Sequence, residues 1–491
     1  MKKNYLLLVL VVMAMTICSC TNKDYQKAIP ANAQLVIRVQ FGNIAENADL
    51  QHSDMMKNLE MSLDAAVKKQ DKEQVKAYLE DPSKMGIDFS EPAYLFMVDN
   101  SVFGMTMKVD DDGALNDFIE LMQKQHMATK PVDKEGLMCG TLFDEIHYSF
   151  DANTCLLMAS PKGRGNATIS RMARELMQQK ESDSFIDTDG YDRLDDVAGD
   201  VSFYTNIGNL PKEVYTPLLS FLPENLKPGD LDIVADLNFE KGKATFLAKV
   251  YGNTSDAKKI IKDADDELNE IEGAFIDKVS ANMMMWMAAN VNGEWLLKHL
   301  KSNATFKELL FGMERAIDIE QMLKAVDGDM ALELQPGVRH RSEPEYMAYA
   351  QIKNSDFLGD VDYWKKSMKD YGITMNTLSK DQYQINIGRD AYVWGVEGKN
   401  LFMGSANADR VVTGQENLLK PYAKEIKDSK FFLYYNLEMM AKDELQHHPT
   451  PVEKKIYEAL KAVVAKAPSA AEMSITVVLK NEDENFLKQL F

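Results

Sequence analysis

The stretch FGMTMKVDDDGALNDFIELM, Phe103–Met122, has a counterpart in YMAYAQIKNSDFLGDVDYWKKSM, Tyr346–Met368. Each opens with alternating apolar and polar residues, the period of a half-buried strand. Each then passes an Asp/Asn-rich turn and continues with apolar residues at helical spacing. Four further pairs recur in the same order, at an offset of roughly 230 to 250 residues. LVIRVQFGNI (Leu35–Ile44) matches MMMWMAANVNGEWLLKHL (Met283–Leu300), and the meander LMCGTLFDEIHYSFDANTCLLMAS (Leu137–Ser160) matches YQINIGRDAYVWGVEGKNLFMGSA (Tyr383–Ala406). AGDVSFYTNIGNL (Ala198–Leu210) matches DSKFFLYYNLEMM (Asp428–Met440), and ATFLAKVYGNTSDAKKII (Ala244–Ile261) matches MSITVVLKNEDENFLKQL (Met473–Leu490).

The expectation is an α+β fold, internally duplicated, with mostly antiparallel sheets and amphipathic helices packed on one face. Its halves are residues 31–272 and 273–491, with a break near Gly273. Within each half a strand, a helix, a two-stranded hairpin and a helix are read as a unit used twice; in its last copy only one strand, Glu472–Lys480, is legible before the terminal helix. Hairpin turns are read at VDNS (Val98–Ser101), EKGK (Glu240–Lys243) and EGKN (Glu397–Asn400), where Gly or Asn accepts positive φ.

The chain begins MKKNYLLLVLVVMAMTICSCTNKDYQKAIP. Lys2 and Lys3 precede an apolar run, Leu6–Met15, too short to span a bilayer, and small residues follow at once, the layout of an export signal over residues 1–19. Ile17-Cys18-Ser19-Cys20 has the spacing of a lipobox with Cys20 at the modified position. Residues 20–30 then form a lipidated tether, on which several acyl chains, at about 0.8 kcal/mol per buried methylene, give stable attachment.

Fifty-six Lys and Arg stand against 76 Asp and Glu, a formal net charge of −20. That field repels phosphate backbones and anionic headgroups, so nucleic acid is excluded as a partner. With 45% hydrophobic residues the body after the tether can bury a sizeable core, and its length calls for two or more domains.

The lipobox at Ile17–Cys20, the segment AIPANAQLVIRV (Ala28–Val39) and the strand AGDVSFYTNI together resemble an uncharacterised outer-membrane lipoprotein family of Bacteroidota, known only as a domain of unknown function. The resemblance covers nearly the whole chain. It implies an outer-membrane lipoprotein of a Gram-negative anaerobe, facing the periplasm or the cell surface, and it carries over no catalytic residue.

Candidate chemical sites read better as structure. In DTDGYDRLDD (Asp187–Asp196), Gly190 at the sixth position of a calcium loop would make Phe185 the first ligand, and Phe has no oxygen to offer. VDDDG (Val109–Gly113) is an N-cap with an acidic first turn. His447-His448 lacks acidic or Cys partners at a metal-binding spacing. PKGRGNAT (Pro161–Thr168) lacks the third Gly of a dinucleotide fingerprint and the Lys-Ser/Thr of a P-loop. MMMWM (Met283–Met287) reads as core, and Trp286, Trp295, Trp364 and Trp394 read as buried, with a groove lining as their functional alternative. Cys139 and Cys155 fall on the outer strands of a three-strand meander, about 9 to 10 Å apart, so they are expected to be free thiols.

No catalytic, cofactor-binding or metal-binding residue is therefore assigned, and Cys20 is the one assigned site, for lipid attachment. The favoured reading is a lipid-anchored envelope protein acting as a non-enzymatic binding or scaffold module, with the outer membrane and an envelope protein or glycan as partners. The alternative is an envelope hydrolase of glycan or peptide with a carboxylate-based site, which one sequence cannot bring together in space.

Overall fold

The structure, a computed structural model, describes residues 23–53, 56–61, 67–161, 165–197, 199–213, 226–302, 318–337, 344–408, 417–439 and 450–490. It divides into two compact units, Met1–Lys258 with Asn481–Phe491, and Lys259–Lys480.

The first unit contains β1 (Leu35–Val39), β2 (Ala93–Val98), β3 (Val102–Lys108), β4 (Val132–Lys134), β5 (Leu137–Leu142), β6 (Ile146–Phe150), β7 (Thr154–Ala159), β8 (Val201–Asn206), β9 (Leu231–Glu240) and β10 (Lys243–Gly252). Every pairing is antiparallel, in the order β4-β5-β6-β7-β3-β2-β1-β8-β9-β10. Helices α1 (Asp112–Lys124), α2 (Asn166–Met177) and α3 (Asp189–Asp195) pack against these strands. Asp111 caps α1 by accepting the Ala114 N–H at 2.9 Å, as its acidic turn predicts.

Neighbouring residues of β7 show where the helices lie. Cys155 packs with Leu115 and Ile119 of α1. Leu156 and Met158 pack with Ile169, Ala173 and Leu176 of α2 and with Tyr191 and Leu194 of α3. Because successive strand residues point to opposite faces, both faces are covered.

In the second unit lie β11 (Met285–Asn292), β12 (Val326–Gln335), β13 (Glu345–Ile352), β14 (Thr374–Ser379), β15 (Gln382–Ile387), β16 (Asp390–Glu397), β17 (Asn400–Ser405), β18 (Phe431–Asn436), β19 (Leu460–Ser469) and β20 (Glu472–Leu479). Their antiparallel order is β14-β15-β16-β17-β13-β12-β11-β18-β19-β20. Helices α4 (Gly293–Ser302), α5 (Ile319–Ala325), α6 (Val361–Lys369), α7 (Ala423–Lys427) and α8 (Pro451–Ala459) accompany them. On β13, Met347 and Tyr349 join the cluster holding Ile426 of α7. Ala350 and Ile352 join Leu297 of α4, Met322 of α5 and Trp364 and Met368 of α6. Here too both faces carry helices. Trp286 and Phe432 are almost wholly buried, each contributing about 2 to 3 kcal/mol of apolar burial.

The expected fold, an internally duplicated α+β domain with helices on one face, is corrected. The described strands are antiparallel throughout, ten in each unit, and helices occupy both faces of each unit's sheet. The sequence of β7, TCLLMA, is apolar at successive positions, the pattern of a strand buried on both sides. The units divide at Lys258, and residues 481–491 cluster with the first. The last motif also holds two strands, β19 and β20, where one is legible in the sequence. β19 follows α8 with no loop, since Leu460 is both the helix C-cap and the first strand residue.

Residues expected to lie in the tether are packed instead. Tyr25, Ala28 and Ile29 are at most 2% exposed. The Tyr25 hydroxyl donates to Pro92 O at 2.9 Å, and Thr106 Oγ1 donates to Tyr25 O at 2.8 Å. The turns form where read: Asp99 and Asn100 have φ of 53° and 51°, and Gly242 and Gly398 have 66° and 65°. Cys139 and Cys155 are buried free thiols, on β5 and β7 with β6 between them.

Candidate functional site

Three chain segments deliver donors to one buried carboxylate, Asp232 on β9, which is 5% exposed. Arg193 Nη1 on α3 reaches Asp232 Oδ2 at 2.7 Å, and the Tyr204 hydroxyl of β8 donates to the same oxygen at 3.0 Å. Asn206 Nδ2 and Asn253 Nδ2 donate to Oδ1 at 2.8 and 2.7 Å. Arg193 also donates to Asn253 Oδ1 at 3.0 Å and lies 4.8 Å from the Tyr251 ring centroid. Burial first, then the charge of Asp232, pushes the Tyr204 hydroxyl well above the usual tyrosine range, so it keeps its proton and donates. With every lone pair engaged, Asp232 is a structural acceptor rather than a base.

Asp329 of β12 plays the same part in the second unit. Its Oδ1 accepts the Glu272 N–H at 2.9 Å and Asn290 Nδ2 at 3.2 Å, and its Oδ2 accepts the Gly273 and Ala274 N–H groups at 2.7 and 2.8 Å. The segment read as the junction of two halves is thereby clamped to the sheet. Four residues along β12, Glu333 accepts the Ser280 N–H at 3.2 Å and Gln335 Nε2 at 2.9 Å.

Two clusters place chemically capable side chains together. Asp236 of β9 stands opposite Ser202 of β8, which stands opposite Arg38 of β1. Burial raises the Asp236 carboxyl above the ordinary carboxylate range, against the bond donated by Asn238. Arg38 Nη1 donates to Val197 O at 2.9 Å, while Arg38 Nε and Ser202 Oγ are buried with no hydrogen-bond partner among the described residues. Under α2, His147 Nε2 lies 3.1 Å from Ser149 Oγ, which lies 3.4 Å from Cys139 Sγ. A base next to a hydroxyl is a nucleophile's geometry, yet Ser149 is fully buried. Burial, then Lys134 and Arg174, lowers His147 to about 4, leaving it neutral at pH 7.

The residues weighed in the sequence fall elsewhere. Thr188 caps α3 within Asp187–Asp196, Tyr191 donates its hydroxyl to the buried Gln26, and the charged member of that stretch with a buried charged partner is the cation Arg193. Among the described residues no group of three or more His, Cys, Asp or Glu side chains is placed to hold a metal ion. Trp286, Trp364 and Trp394 are core residues, and the Trp295 indole donates to Glu267, so no shared groove collects them. Cys20, His447 and His448 lie outside the described residues, as do residues 162–164 of the Gly-rich stretch. The Asp232 and Asp329 networks were missed because their members stand far apart in sequence. Among the described residues no helix is long and apolar enough to cross a membrane.

A family described as "Domain of unknown function (DUF4836)" matches residues 25–487. The chain belongs to this family. No curated protein matches it. Among solved structures, the DUF4836 chain is similar to crystal form IV of TP0453, with 13% identity over 46% of this chain and 79% of that one and a TM-score of 0.27. Crystal form III of TP0453 gives 13% identity over 51% and 88%, with a TM-score of 0.28.

Proposed function

We propose that this DUF4836 protein is a lipid-anchored outer-membrane protein of a Bacteroidota lipoprotein family, working as a non-enzymatic binding or scaffold module. The observation that carries the reading is how soon after the lipobox the packed body begins. Only Thr21, Asn22 and Lys23 separate Cys20 from Asp24, where a short helix, Asp24–Ala28, starts with Tyr25 already in the core. An extended chain spans at most about 3.5 Å per residue, so a lipid on Cys20 holds the body within about 14 Å of the bilayer. Such a leash suits a module that presents its surface at the membrane.

The buried acids support the binding role over catalysis: Asp232 and Asp329 are saturated by internal donors. The test pairs fractionation with activity. Cys20→Ala should move the protein from washed membranes to the soluble fraction, and the wild type should show no turnover of envelope glycans or peptides. Membrane retention of the variant, or hydrolysis lost on changing a single carboxylate, overturns the proposal.

A further inference from the structure

A lysine, an aspartate and a glutamate stand together, largely out of solvent, where β3 meets the segment leading into β2. Lys108 closes β3, and Asp88 and Glu91 come just before β2. Their side chains are 10%, 5% and 16% exposed, and Lys108 Nζ lies 3.0 Å from Asp88 Oδ2 and 3.8 Å from Glu91 Oε1. The backbone sets this register: the Asp88 N–H donates to Lys108 O at 2.9 Å, and Ile87 bridges Val109. Asp88 Oδ1 instead accepts the Ser90 N–H at 3.1 Å and the Ser90 hydroxyl. One carboxylate oxygen therefore faces an amine while the other rests on two donors, which is how an acyl group is presented to a nucleophile. Burying the charged pair is costly, and an amide between the two groups removes both charges.

We propose that Lys108 and Asp88 condense to an intramolecular isopeptide bond, with Glu91 as the proton relay. Nζ gives one proton to Oδ2, and its lone pair forms the bond to Cγ. The negative charge gathers on Oδ1, where the two Ser90 donors hold it. Glu91 takes a second proton from Nζ and passes it to Oδ2; the Cγ–Oδ2 bond breaks with its electron pair on the oxygen, which leaves as water. An ammonium and a carboxylate thus become an amide and one water, with nothing oxidised or reduced and Glu91 returned to its starting state. Holding the pair side by side gives an effective concentration of about 10⁵ M or more, and little solvent reaches these side chains to reverse the step. The bond ties the end of β3 to the entry of β2 and closes the hairpin between them covalently. It is independent of the lipid anchor.

Fragment masses of the purified full chain test this. Cyanogen bromide cuts after Met85, Met97, Met107 and Met122, so Asp88 falls in Gly86–Met97 and Lys108 in Lys108–Met122. From the unfolded wild type these fragments should come off joined, one water lighter than their sum, with the link at Asp88 and Lys108. Lys108→Arg keeps a cation beside Asp88 and should release them separately. Glu91→Gln removes the relay at similar size and should leave most chains unlinked, with an unchanged circular dichroism spectrum. Separate fragments of unshifted mass from the wild type overturn the proposal, whatever the variants do. So does a link at Glu91 in place of Asp88, or a Glu91→Gln protein linked as fully as the wild type.

Discussion

Replacing Asp329 by Asn keeps size and shape but turns one carboxylate oxygen into a donor. Each oxygen accepts two bonds: Oδ1 from the Glu272 N–H and Asn290, Oδ2 from the Gly273 and Ala274 N–H groups. Whichever oxygen is lost, two donors then face an NH₂ group in a site where Asp329 is 1% exposed. Hydrogen bonds to a charged group are worth about 1.5 to 3 kcal/mol each, and stranded buried donors add their desolvation cost, so the loss should be about 3 to 5 kcal/mol. All four tryptophans, Trp286, Trp295, Trp364 and Trp394, lie in the second unit with Asp329, so indole fluorescence during urea unfolding reports on the affected unit. At a slope of about 3 kcal/mol per molar, the midpoint should fall by roughly 1 to 1.7 M. A shift below about 0.3 M would refute the claim that this carboxylate clamps residues 272–274.

Arg193→Ala should destabilise the first unit by about 2 to 4 kcal/mol, because it leaves Asp232 as a buried charge without its cation; hydrogen exchange at β8 and β9 should speed up, and unchanged protection would contradict this. Cys139 and Cys155 should resist maleimide in the native protein and both react on unfolding, with burial holding the Cys155 thiol up at about 12; a Cys139–Cys155 linked peptide would break the meander register. His147, lowered from 6.5 to about 4 in the fold, binds its proton more readily in the unfolded chain. Its effect on stability is therefore absent above pH 6.5, and stability falls as the pH drops from 6.5 to 4; His147→Gln should flatten that part of the profile, and an unchanged slope counts against the assignment.

Local features of this chain were legible in its sequence because they depend on neighbours. Asp99-Asn100 and Gly398 announce their turns through positive φ, Asp111 announces its helix by capping chemistry, and the meander from Leu137 to Ala159 emerges as three strands with Cys139 and Cys155 on the outer two. The side on which helices pack was misread. The unbroken apolar run TCLLMA is the pattern of a strand buried on both faces, and the separate placement of Cys155 and Leu156 in different clusters agrees with it. β19 was hidden because α8 runs into it directly and Lys461 and Lys466 interrupt its apolar residues. The buried networks stayed invisible for another reason: Arg193 and Asp232 are 39 residues apart, and Glu272 and Asp329 57. In DTDGYDRLDD the acids drew notice as ligands, while the charged residue that pairs with a buried acid is the lone cation, Arg193.

The mass of the N-terminal peptide of protein extracted from cell membranes tests the central claim most directly. The account predicts a peptide that starts at Cys20 and carries a diacylglyceryl group and an amide-linked acyl chain, with residues 1–19 absent. A peptide with an unmodified Cys20, or one that retains Met1–Ser19, would contradict the lipid anchor and with it the placing of this body at the membrane surface.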